Sequence, residues 1–157
     1  MSLLPQITAL IAILAVGIVY GTDAFCALVM RPALARVDDS VLAATMGNVH
    51  RYGDSRMPIP GAVGLVASAA TIVLSAMAGH VASAATAGIA LASLIVWMIV
   101  YVRISAPINR ILTSAADAHE TPANARALQA SWDRVIVLRS VLQGLAIAAL
   151  VIGVILS

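Results

Sequence analysis

Four runs of apolar residues constrain this chain more than any other feature: roughly Leu3 to Met30, Pro58 to Ala78, Val81 to Val102 and Val135 to Leu156. Crossing about 30 Å of hydrocarbon takes about 20 helical residues, and each run is long enough. Backbone amides in lipid must be satisfied within the segment, and no alternating pattern of about ten residues points to a barrel, so each run is read as a helix. The fold class that follows is all-α, a membrane four-helix bundle forming one domain over residues 1–157. Composition agrees, since 62% of the residues are hydrophobic, 10% are charged and the mean hydropathy is +1.02. A soluble domain carries about 25% charged residues, and a chain this poor in charge cannot cover its own surface in water.

The polar connections set the topology. All nine basic residues are arginines. Arg31, Arg36, Arg51 and Arg56 lie between the first two spans, and Arg103, Arg110, Arg126, Arg134 and Arg139 lie around the connection between the last two. The turn at Gly79 and His80 and the C-terminal Ser157 have none nearby. The positive-inside rule then places both long connections in the cytoplasm and both termini outside, in a cell inner (plasma) membrane. The formal charge of +2 belongs to this topology and gives no reason to expect nucleic acid as a partner. The first run lacks a basic n-region and continues past Tyr20, so it is expected to be a retained span and not a cleaved signal peptide. A single cysteine, Cys26, excludes an intramolecular disulfide and any cysteine-rich metal site within one chain.

Within the first connection, Asp38, Asp39 and Ser40 are N-cap residues before an apolar-patterned stretch, which predicts a short amphipathic cytoplasmic helix between spans 1 and 2. Gly53 is expected to break it, and Pro58 and Pro60 suit the first turn of the second span. Thr121 and Pro122 form a cap and first-turn signal, from which a final helix runs to Leu156 over about 50 Å.

Polar groups inside apolar spans are costly and face a bundle interior or a watered cavity. Asp23 is the first of these, and Tyr20 lies three residues before it on the same helix face. Trp132, Arg139 and Gln143 are spaced by seven and four residues, which places all three on one face and makes an Asp23 to Arg139 pair geometrically feasible. Met46, His50 and Met57 fall at helical spacing, and imidazole and thioether are ligands of haem or copper. Asp54 is close enough to orient the His50 ring. The opposing expectation is that both methionines only fill the core. His80 and His119 fall in polar turns and are expected to be solvated, and Cys26 is expected to be an inert buried thiol. No phosphate-binding glycine loop, HExxH or nucleophile elbow is present.

The sequence Gly21, Thr22, Asp23, Ala24, Phe25, followed by Val29, Met30, Arg31, Pro32, Ala33, Leu34, resembles the first span of the anthrone oxygenase-like family of small integral membrane proteins. Ala106 to Arg110 is similar to that family's proline–hydrophobe–asparagine cluster, and Trp132 with Arg139 is similar to the start of its last helix. The resemblance covers nearly the whole chain. It implies oxidation of a phenolic or quinol-type small molecule near the cytoplasmic face, with Asp23, Asn109, Trp132 and Arg139 lining the site, Asp23 as base and Arg139 as the cation beside an enolate. The segment His50 to Asp54 with Arg56, Met57 and Pro58 departs from the family's more neutral pattern and leaves room for a cofactor. Three functions therefore remain open. One is the oxygenase, with a small aromatic or quinone-like ligand. The second is a redox protein holding haem b or copper through His50, with Met57 and Tyr20 at the cofactor. The third is a non-catalytic membrane partner whose arginines contact anionic lipid. A homo-oligomer is expected, because four short helices enclose little volume.

Overall fold

The computed structural model describes residues 3–157 as five helices. We label them α1 (Leu4–Leu34), α2 (Asp39–Arg56), α3 (Pro58–Met77), α4 (Val81–Asp117) and α5 (Ala125–Ile155). Four of them, α1, α3, α4 and α5, are long and apolar enough to cross a membrane. The all-α membrane bundle expected from the sequence is the observed fold, and the chain is a multi-pass integral membrane protein.

The four spans form a ring in which α1 packs against α3 and α5, and α4 closes the circle against the other faces of α3 and α5. Their outward residues, among them Leu14, Ile18, Val66, Val73 and Val141, are exposed and apolar, as a lipid-facing surface requires. The interior of one half of the ring is built from small residues: Ala12, Ala87, Ala90 and Ala146 are buried against Val16, Leu94 and Leu150. Gly64 sits so close to α1 that a Cβ there would meet Val16 Cγ2 at 2.7 Å, which is the close approach that small residues permit in lipid.

The other half is wider and is closed by α2. The Asp38 carboxylate caps this helix by accepting from the Val41 amide at 3.4 Å, as the sequence predicts. Leu42, Ala43, Met46, Gly47 and His50 form its buried face, which packs mainly on the end of α4. Leu42, Ala43 and Met46 join Leu34, Leu112, Trp132 and Ile136 in a second apolar core.

Several boundaries differ from the sequence-based expectation. Gly53 does not end α2, which continues to Arg56. The last helix starts at Ala125, not near Pro122; Asn124 is its cap position, and Pro122 instead accepts from the Ala125 amide in a turn. The first and third spans run past Met30 and Val102 because each passes through a π-helical turn, Cys26–Met30 in α1 and Tyr101–Ser105 in α4. Each turn immediately precedes a proline in the next helical turn, Pro32 and Pro107 respectively. A proline lacks the amide donor and its ring crowds the carbonyl four residues back, so an inserted residue lets the helix continue where an α register would break.

Candidate functional site

Between the two apolar cores lies a cavity of about 330 Å³, within the range of small-molecule pockets. Its walls are mostly apolar, and its polar groups come from four helices: Asp23 from α1, His50 and Asp54 from α2, Tyr101 and Asn109 from α4, Trp132 and Arg139 from α5, with Pro58 and Gly61 of α3 completing the wall. Both π-turns border it, through Cys26 and Tyr101.

Arg139 is the cation of the site and is only 5% exposed. Its Nη2 donates to Asp23 Oδ1 at 2.8 Å and its Nη1 to Ser105 Oγ at 2.9 Å, while Gln143 Nε2 donates to the second Asp23 oxygen at 2.8 Å. The guanidinium carbon lies 5.3 Å from the Tyr101 ring centre and 5.7 Å from that of Trp132, a cation–π arrangement on two aromatic surfaces. The pair expected from helical spacing is thus present, and Gln143 joins it. Both oxygens of Asp23 are engaged, so this carboxylate fixes the guanidinium in place.

A second chain of hydrogen bonds runs along the α2 side. Asp54 Oδ1 accepts from Tyr101 Oη at 2.8 Å and from Asn109 Nδ2 at 2.9 Å, and the Asn109 carbonyl accepts from Trp132 Nε1 at 3.0 Å. His50 stands four residues before Asp54, with its ring 5.4 Å from the Trp132 ring centre. It is 4% exposed and its Nε2 is buried without a partner. Burial, opposed in part by the Asp54 carboxylate and assisted by the Arg139 charge, pushes its pKa down to about 4. The imidazole is neutral near pH 7 and retains an unfilled hydrogen-bonding capacity.

Of the residues singled out in the sequence, Asp23, Asn109, Trp132, Arg139, His50 and Met57 all border this cavity. Tyr20 does not: it is 37% exposed and its ring rests beside Gly144, because three residues along a helix turn it far enough round α1 to leave the interior. Met46 is fully buried in the apolar core, as the core-filling expectation held, while Met57 borders the cavity beside Thr22, whose Oγ1 lies 3.7 Å from the Met57 sulfur. Among the described residues no group of three or more His, Cys, Asp or Glu side chains is placed to hold a metal ion. Sequence reasoning missed Trp97, Tyr101 and Ser105 and gave Asp54 only a secondary part. Ser105 stands four residues after Tyr101 and two before Pro107, a local signal that this stretch of α4 is specialised. No protein family, no curated protein and no solved structure matches the chain.

Proposed function

We propose that the cavity binds a planar phenolic or quinol-type molecule and oxidises it with dioxygen, in the manner that the resemblance to anthrone oxygenases implies. One observation carries this: a neutral, unpartnered histidine and a buried, fixed arginine share one apolar-walled cavity with three aromatic rings, those of Trp97, Tyr101 and Trp132. An anthrone-type substrate has an acidic CH2 group opposite a carbonyl. His50 accepts a proton from that carbon, and the enolate oxygen that gains the charge lies against Arg139, where a preorganised cation in a water-poor site stabilises it most. Dioxygen adds to the carbanion carbon, the resulting peroxide anion takes the proton back from His50 to become a hydroperoxide, and loss of water leaves a ketone. Overall CH2 plus O2 becomes C=O plus H2O, so dioxygen takes up the four electrons that the carbon gives and no other reductant or oxidant is needed. Asp23 acts as a positioning residue for Arg139, a change from the role that the resemblance implies. In this scheme the arginine-rich end of the bundle, with α2, faces the cytoplasm and both termini face outward across a plasma membrane.

The test is oxygen uptake and quinone absorbance for anthrone supplied to the protein in lipid nanodiscs. The expected result is turnover above the protein-free rate that falls by about 10²-fold or more in His50→Gln, the scale of a lost general base. Turnover equal to the protein-free rate would overturn the oxygenase function. Because His50 and Met57 border the same cavity, the absorption spectrum of the same sample is recorded: a Soret band lost in His50→Ala would assign the site to haem instead.

A further inference from the structure

The cavity is covered at both ends of the bundle; exposed Thr22 of α1 and Val49 of α2 reach it, but the longest run of surface residues that line it lies on its flank. At the outer end the alanine-packed layer with Val16, Leu94 and Leu150 fills the interior. At the arginine-rich end α2 lies across the mouth and is pinned there. A Cβ on Gly47 would collide with the Leu112 carbonyl and the Ala116 side chain, so the α2 backbone is seated directly on α4. Ion pairs Arg51–Asp117 and Arg126–Asp39 fasten its edges, and the Asp54–Tyr101 hydrogen bond ties its last turns to α4.

The flank between α3 and α4 differs. Pro58, Ala62 and Leu65 of α3 and Met98 of α4 all border the cavity, yet Pro58 and Ala62 are exposed and Leu65 and Met98 are half-buried. These residues belong at once to the cavity wall and to the outer surface of the bundle, so the space between them is a window. On its inner edge Gly61 backs onto Trp97: a Cβ on Gly61 would lie 3.3 Å from the indole ring. The window sits just inside the apolar runs, with exposed Arg56 before Pro58 and exposed Arg103 after Tyr101. Side chains of that kind hold to the headgroup level, so the window opens among acyl chains just beneath it.

We propose that the cavity is loaded from the bilayer through this window, so that its ligand is a membrane-dissolved aromatic carrying a hydroxyl or carbonyl and not a water-soluble one. The route rests on the proposed function in so far as the ligand is aromatic. A neutral apolar molecule diffuses in the acyl region and passes Ala62 and Met98 without shedding charge, whereas a sulfonate or carboxylate carries a desolvation penalty that this window offers nothing to offset. Once inside, the ring meets Trp97 and Tyr101, which stack with centres 6.3 Å apart, and its oxygen meets Arg139 and His50.

The chain contains two tryptophans, Trp97 and Trp132, and both border the cavity, so intrinsic fluorescence reports its occupancy. The experiment follows fluorescence quenching in nanodiscs by an alkylated 1,4-naphthoquinone and by a sulfonated naphthoquinone that stays in water. Saturable quenching by the alkylated quinone alone is expected. Ala62→Phe slows its onset by about tenfold, as a block of a narrow passage acts on the association rate, Met98→Ala hastens it, and Val66→Phe on the lipid-facing side of α3 leaves it unchanged. Opposite effects of the two window variants keep the result readable if either folds poorly. Saturable quenching by both quinones, or onset rates indifferent to both window variants, would overturn the loading route while leaving an aromatic-binding cavity in place. Absence of saturable quenching by either quinone would overturn both.

Discussion

His50 combines deep burial with an unfilled hydrogen-bonding site, and its titration is a measurable property. Its folded-state pKa is near 4, below the ordinary 6.5. The unfolded chain therefore binds the proton first as pH falls. The stability associated with the neutral ring is complete above pH 6.5 and is lost progressively as pH falls from 6.5 towards 4. A shift of this size corresponds to about 3 kcal/mol. Thermal unfolding in mild detergent across that interval is expected to fall more steeply for the parent protein than for His50→Gln. Parallel curves would show that the ring is solvated. Asp23 and Arg139 make a second prediction at this scale. Removing one member of a buried ion pair strands the other, so Arg139→Met is expected to cost about 3–5 kcal/mol, and the double variant Asp23→Leu with Arg139→Met to recover much of it. Thermal unfolding of the single and double variants measures both. Asp23, Arg139 and Gln143 were legible in the sequence because a carboxylate inside a span demands a cation, and positions seven and four apart on one helix supply a common face. The exclusion of Tyr20 was not legible, since a separation of three places two side chains near each other but does not decide which of them faces inward.

At the scale of elements, α2 and the two π-turns make the site. The N-cap and apolar spacing of α2 are local properties, and the sequence shows them. Its docking on α4 through Gly47 is tertiary, so the sequence could not place His50 and Asp54 beside Tyr101 and Asn109. Gly47→Ala is expected to lift α2 from α4 at a cost of about 1–3 kcal/mol, the usual scale of overpacking, and to make Trp132 accessible to quenching by aqueous iodide. Unchanged stability and quenching would show that α2 adjusts freely. The π-turn of α4 explains why Tyr101 and Ser105 escaped notice. An inserted residue shifts the register of everything beyond it, so an ideal helical wheel misplaces the stretch that donates to Asp54 and accepts from Arg139. Pro107, six residues after Tyr101, was the available local clue, because a proline within a continuing helix calls for an adjustment of the turn before it.

At the scale of the molecule, the four spans and the arginine asymmetry were plain from hydropathy and charge alone, because lipid imposes the same demand on every residue of a span. The orientation proposed above makes a direct prediction. In intact cells a membrane-impermeant thiol reagent is expected to label Ser157→Cys and to leave Ser40→Cys unlabelled, with Cys26 silent because it is buried. The reverse pattern would invert the topology and put α2 outside. The alanine-packed layer between α1, α3, α4 and α5 has one further consequence. Packed side chain to side chain, it separates the cavity and its ionisable groups from the opposite end of the bundle. Under the proposed oxidation, a proton taken up by His50 returns to the compartment it came from, and turnover is expected neither to charge the membrane nor to respond to its voltage. The proposed function is then that of a reaction vessel set into one leaflet and not of a conduit between the two sides.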